Sequence, residues 1–131
     1  MKKNGSKKML GGIIMMSLFL SMGMTVYAAT ATTSFNYAGK TVNCELKADF
    51  GLGKDEAYGK TYVNGGSGLY PLGAYLLAFN NGDLVGSDNV TAFDSAKTKT
   101  LSVNATEFRS THNIQDSNRR PLESTKLTNS K

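Results

Sequence analysis

The chain has 131 residues, a formal net charge of +5, one cysteine, one histidine and no tryptophan. One cysteine excludes an intramolecular disulfide framework, and one histidine excludes a histidine-rich metal site. The positive charge is concentrated at the amino end. From Ala29 onward eight Lys and three Arg stand against six Asp and four Glu, a net +1, and only Arg119-Arg120 is contiguous. The cluster of positive charge that nucleic acid or an anionic membrane surface requires is therefore missing.

Residues 1–28 read as a signal peptide. Lys2, Lys3, Lys7 and Lys8 form a positive n-region, Met9–Met24 is uncharged and apolar, and Val26-Tyr27-Ala28 supplies a cleavage site with the cut expected before Ala29. The apolar run is shorter than the roughly 20 residues a spanning helix needs. Arg119–Lys131 has no apolar tail, so no stable membrane anchor is expected after cleavage, and the product is expected to be secreted and extracellular. The remaining length suits one domain, divided as a flexible leader at 29–33, an all-β domain at 34–116, and a polar carboxyl-terminal segment at 117–131 that either supplies a weak last strand near Leu122–Thr128 or frays.

Thr41–Phe50 sets the fold class. Val42, Cys44, Leu46, Ala48 and Phe50 alternate with Asn43, Glu45, Lys47 and Asp49, the period of a strand with one face in the core and one in water. Such one-sided strands belong to antiparallel sheets. Phe35 and Tyr37 alternate before it, and Gly39-Lys40 supplies a two-residue reversal, so Ser34–Phe50 reads as a hairpin. Gly51–Asp55 reads as a loop. In Ala57–Val63, Tyr58, Lys60 and Tyr62 share one face and Ala57, Gly59, Thr61 and Val63 the other, with either face able to turn inward. Asn64–Gly68 reads as a mobile, glycine-rich hairpin loop.

Pro71 and Gly73 place the start of the next strand at Ala74. Ala74–Phe79 is apolar enough to be a central strand covered on both faces, or one helical turn. Asn81-Gly82 is a strong hairpin signal with Leu84–Phe93 as the partner strand, and Asp94–Lys97 reads as a further turn. Leu101, Val103 and Ala105 alternate on odd positions whereas Phe108, Ser110, His112 and Ile114 alternate on even ones. One strand with one buried face cannot change parity, so a β-bulge or bend is expected at Asn104–Glu107. The pattern predicts a small antiparallel β-sandwich or barrel of about six to eight short strands.

Catalytic chemistry has little to draw on. Cys44 and His112 are the one possible thiol–imidazole couple, and the alternation makes Cys44 a core thiol and His112 a half-exposed strand residue. Asp49, Asp55, Glu56, Asp83 and Asp88 match no ligand spacing and read as turn and surface acids. No metal, no cofactor and no enzymatic activity are expected. The candidate binding residues are Tyr58, Lys60, Tyr62 and Tyr70, a tyrosine-bearing patch suited to stacking on sugar rings or to protein contact, with the Asn64–Gly68 loop as the alternative binding element. The expected partner is a cell-wall glycan or a surface protein.

In general plan, with its lysine-led signal and strand-rich chain broken by Gly/Ser/Thr/Asn turns, the sequence resembles the small exported proteins of Gram-positive bacteria. Some of these are secreted bacteriocins of the lactococcin type. The likeness implies an alternative role as a bacteriocin-like antagonist of bacterial envelopes. It covers architecture and no motif: the tryptophan-containing pattern of that bacteriocin family is absent, and no residue is carried over.

Overall fold

The computed structural model describes residues 13–21 and 24–131, with side chains from Ala28 onward. The signal-peptide reading falls largely on residues outside this description of side chains, and residues 1–12 and 22–23 lie outside the described residues altogether. The described chain is all-β. Its strands are β1 (Ile13–Ser21), β2 (Met24–Tyr37), β3 (Lys40–Phe50), β4 (Asp55–Val63), β5 (Leu72–Asn80), β6 (Asp83–Ala92), β7 (Ser95–Lys97), β8 (Leu101–Val103), β9 (Glu107–Gln115) and β10 (Pro121–Ser130).

They form two antiparallel sheets, not a closed barrel. The first runs β1-β2-β3-β4, with β7 and β8 both paired to the far edge of β4; the second runs β10-β9-β5-β6. The strands outnumber the expected six to eight for a local reason. β7 and β8 have three residues each, too few for alternation to show, and Asp94–Lys97, expected as a turn, contributes buried Ala96 from β7. The leader expected at Ala29–Thr33 is likewise strand, paired through Ala29↔Ala48 and Thr33↔Cys44, with Ala29 and Ala31 buried. Small side chains at those positions reflect close packing and not flexibility.

The core lies between the sheets. β3 supplies Val42, Cys44, Leu46, Ala48 and Phe50, β5 supplies Leu72, Ala74, Leu76 and Ala78, and Phe108 from β9 meets Phe50 with ring centroids 5.5 Å apart. β5 is central in its sheet but covered on one face only. Tyr75, Leu77 and Phe79 on its other face are partly exposed. The strand starts at Leu72 and tolerates Gly73 because a Cβ there would overlap Asn113 Oδ1 and Gln115 Nε2. The parity change is a change of sheet: β8 pairs with β4, the chain crosses at Asn104–Thr106, and β9 pairs with β5.

The β2–β3 and β5–β6 hairpin turns use positive φ. Asn81-Gly82 joins β5 to β6 with φ of 52° and 90°, and the first hairpin reverses at Ala38-Gly39, one residue before the expected Gly39-Lys40, with φ of 52° and 78°. The left-handed pair matches the twist of the flanking strands. Asn64–Gly68 is not a hairpin loop. It carries the chain from the first sheet to the second and is tied down by a reciprocal pair, Ser67 N–H donating to Asp94 Oδ1 (3.1 Å) and Asp94 N–H to Ser67 Oγ (3.0 Å). The carboxyl-terminal segment is a full strand, pinned by Asn129 Nδ2, which donates to the carbonyls of Ala29 (3.3 Å) and Leu46 (3.1 Å) across the core.

Candidate functional site

The inner face of β4 is filled by a polar cluster. Thr61 Oγ1 donates to the Gly73 carbonyl (2.8 Å) and lies 2.9 Å from His112 Nδ1, while Ser110 Oγ lies 2.6 Å from His112 Nε2. With the one Thr61 proton given to Gly73, neutral His112 donates from Nδ1 to Thr61 and accepts at Nε2 from Ser110. His112, expected to be half-exposed, is fully buried. Burial lowers its pKa to about 4, against a smaller opposing pull from the Lys60 backbone, so the ring is uncharged at neutral pH. Cys44 stands opposite Thr61 across β3 and β4, and burial pushes its thiol up and away from the reactive thiolate. The imidazole takes Ser110 and Thr61 as its side-chain partners, and both groups are sealed from solvent.

Asp55 also departs from expectation. It is buried, not a surface acid, and accepts from Gly51 N–H (3.0 Å), Ala105 N–H (2.9 Å) and Lys131 Nζ (3.1 Å). One carboxylate thereby ties the β3–β4 loop, the sheet crossing and the last residue together. Among the described residues no group of three or more His, Cys, Asp or Glu could hold a metal ion.

The inner packing decides which side of β4 faces water. A Cβ on Gly59 would sit 3.3 Å from Ser110 Cβ and 3.7 Å from His112 Cε1, so the sheets approach too closely for tyrosine there. Tyr58, Lys60 and Tyr62 are accordingly turned outward and half-buried in the surface. Their neighbours hold them in place. Tyr58 donates its hydroxyl to Glu45 Oε2 (2.9 Å), Lys97 Nζ lies 4.3 Å from the Tyr58 ring centroid, and Lys60 Nζ lies 4.7 Å from that of Tyr62. Ammonium groups over ring faces are attracted by the ring quadrupole. Partial burial, then the Glu45 carboxylate accepting its proton, push the Tyr58 pKa up to about 12, which keeps this hydroxyl a donor at neutral pH.

The register extends the patch. Tyr58, Lys60 and Tyr62 lie opposite Lys47, Glu45 and Asn43 of β3. Asn43 in turn lines a shallow groove of about 510 Å³ at the end of the first sheet, bordered by the Ala38-Gly39 turn and by Val63–Gly66, with Lys40 and Thr41 on its wall. Lys40 Nζ donates to the Gly66 carbonyl (3.3 Å) across it. The aromatic row and this groove are thus neighbours through one cross-strand pair, Tyr62 and Asn43.

Of the four candidate residues, three come together and one does not. Tyr70 packs edge-on against Tyr37 at the rim of the core, with centroids 5.7 Å apart and planes at 86°. Nothing in the sequence singled out Glu45 or Lys97, whereas the Asn64–Gly68 loop, the alternative binding element, lines the groove through Asn64, Gly65 and Gly66. The alternation of β3 did place Asn43 and Glu45 on the water face; which β4 residues they face depends on register. In comparisons with protein families, characterised proteins and solved structures, the chain matches none.

Proposed function

We propose that the chain is exported, is cut after Ala28, and acts outside the cell as a non-enzymatic domain that binds a cell-surface glycan along the outer face of β4. The observation that carries this reading is the continuity of the Tyr58–Lys60–Tyr62 row with the groove at Asn43. Two tyrosines four residues apart on a strand are separated by roughly 13 Å, which suits a chain of sugar rings better than a single one. The rings supply apolar faces for stacking. Asn43 and Asn64 supply hydrogen-bonding side chains of the kind that hydroxyl-rich ligands need.

Held side chains favour this use. The Tyr58–Glu45 bond and the two cation–ring contacts fix rotamers before a ligand arrives, so less entropy is lost on binding. The face carries both signs in balance, Lys47, Lys60 and Lys97 against Glu45, Asp49 and Glu56, with Glu45 opposite Lys60 but Asp49 opposite Glu56 and Lys60 opposite Lys97; the absence of net charge favours a polar polymer over a strongly charged one. A glycan array, together with pull-down on purified peptidoglycan and intact bacterial cells, tests the reading. Saturable retention on a glycan-bearing surface is the expected result. Retention only by cells stripped of glycan would replace the glycan with a protein partner, and growth inhibition without retention would favour the antagonist role.

A further inference from the structure

The edges of the two sheets are protected unequally. An exposed strand edge invites pairing with another chain, and charges, Pro, Gly and short length are what normally prevent it. β10 carries Pro121, Glu123 and Lys126; β6 carries Asp83, Gly86 and Asp88; β7 and β8 have three residues each and β7 ends on Lys97. β2 has none of these devices. From Ala28 to Tyr37 it contains no charged residue, no Pro and no Gly, and β1 covers its amino-terminal part, paired with it from Ser21↔Met24 to Ile13↔Thr32, so that Ala29–Thr32 of the cleaved chain lies under this seat and the edge continues past it to Tyr37. β1 lies wholly within the segment read as the signal peptide.

We propose that removal of residues 1–28 opens the β2 edge and that a second copy of this chain takes the place of β1, pairing β2 with β2 in antiparallel fashion about a two-fold axis. The proposal rests on the cleavage reading above. β2 stays in place without β1, because β3 pairs along it from Ala29 to Tyr37 and Asn129 holds the Ala29 carbonyl from below. The pairing with β1 establishes the geometry of the seat: an antiparallel, uncharged strand fits this edge. A second β2 meets the same requirements, since Thr30, Ser34 and Asn36 on its outer face bring no like charges together across a two-fold axis.

An antiparallel pair of this kind places both cores beneath one continuous sheet and both outer faces above it. The two Tyr58–Lys60–Tyr62 rows then face the same way, which raises avidity for a repeating polymer without any new contact to it.

The test uses the full chain expressed in a secreting bacterial host, with the product recovered from the medium, its amino terminus read by mass spectrometry and its mass by sedimentation equilibrium. The expected product begins at Ala29 and has twice the mass of one chain. Ser34→Lys, exposed on the outer face of the edge, is expected to halve that mass while keeping the circular dichroism of a folded β-domain, with a melting temperature that no longer rises with protein concentration. A product that begins at Ala29 and stays at the mass of one chain from micromolar to millimolar concentration overturns the pairing while leaving cleavage intact. A dimer insensitive to Ser34→Lys, or species larger than two chains, contradicts this closed interface. A product that retains residues 1–28 overturns the cleavage reading, and the opened edge with it.

Discussion

The two faces of β4 are built from alternate residues of one nine-residue strand, yet they differ in what they tolerate. On the inner face Gly59 and Thr61 sit against Ser110 and His112 so closely that one added methyl group is in tight contact. On the outer face Tyr58, Lys60 and Tyr62 touch only a few side chains and leave room above them. The inner face is limited by the spacing of the sheets, whereas the outer face is free to carry recognition. Side-chain size follows from this division: the smaller residues face in and the large aromatic ones face out.

Changes on the core side should be severe. Phe108→Ala empties the contact with Phe50 between the sheets and is expected to cost about 3–5 kcal/mol of stability in urea unfolding. Loss of less than about 1 kcal/mol would mean that the sheets close up, and that spacing does not constrain β4.

The next effect is a pH dependence. His112 has a folded pKa of about 4 against 6.5 for the free side chain, so between these values the unfolded chain binds more protons. Stability is then fully present above pH 6.5 and falls as pH drops toward 4, by about 3 kcal/mol in all. Asp116, exposed and held below its usual range first by the Arg120 backbone, acts in the same direction at lower pH. Unfolding curves at pH 7, 5.5 and 4 should show the loss, and His112→Gln should flatten it. An unchanged slope in that variant would contradict the buried, neutral imidazole.

Asp55→Ala leaves the N–H groups of Gly51 and Ala105 without their carboxylate partner and is expected to cost about 2–3 kcal/mol, read from the same unfolding curves. Asp55→Asn, which keeps an acceptor oxygen, should cost less. At the other extreme, Tyr58→Ala with Tyr62→Ala should change stability by only about 1 kcal/mol, because these side chains are half in water. If that pair unfolds the domain, the outer face is structural and the division within β4 fails.

Much of this division was present in the alternation of residues. β3 shows its two faces in every residue from Val42 to Phe50, and the change of parity between Ala105 and Phe108 marks a real crossing between sheets. The orientation of β4 was not legible, because both its faces are plausible interiors. What decides it is Gly59 meeting Ser110, a contact between residues 51 positions apart in the chain. Asp55 looked like a loop acid for the same reason: its partners Ala105 and Lys131 are remote in sequence. Tyr70 looked like a neighbour of Tyr62 because few residues separate them, but the chain changes sheet in between. The groove was legible only in part: the Asn64–Gly68 loop stood out as a binding element, but the turn on the other wall is brought to it by the register of β3 and β4.

The outer face of β4 is the proposed glycan-binding surface. A binding isotherm on purified bacterial cell walls, for the protein and for its Tyr58→Ala/Tyr62→Ala variant with the melting temperature of each recorded alongside, decides between a recognition surface and a structural one. Saturable binding that weakens about tenfold or more in the variant, with little change in melting, is the predicted result. Equal binding by two equally folded proteins would contradict the claim and return the tyrosines to a structural role.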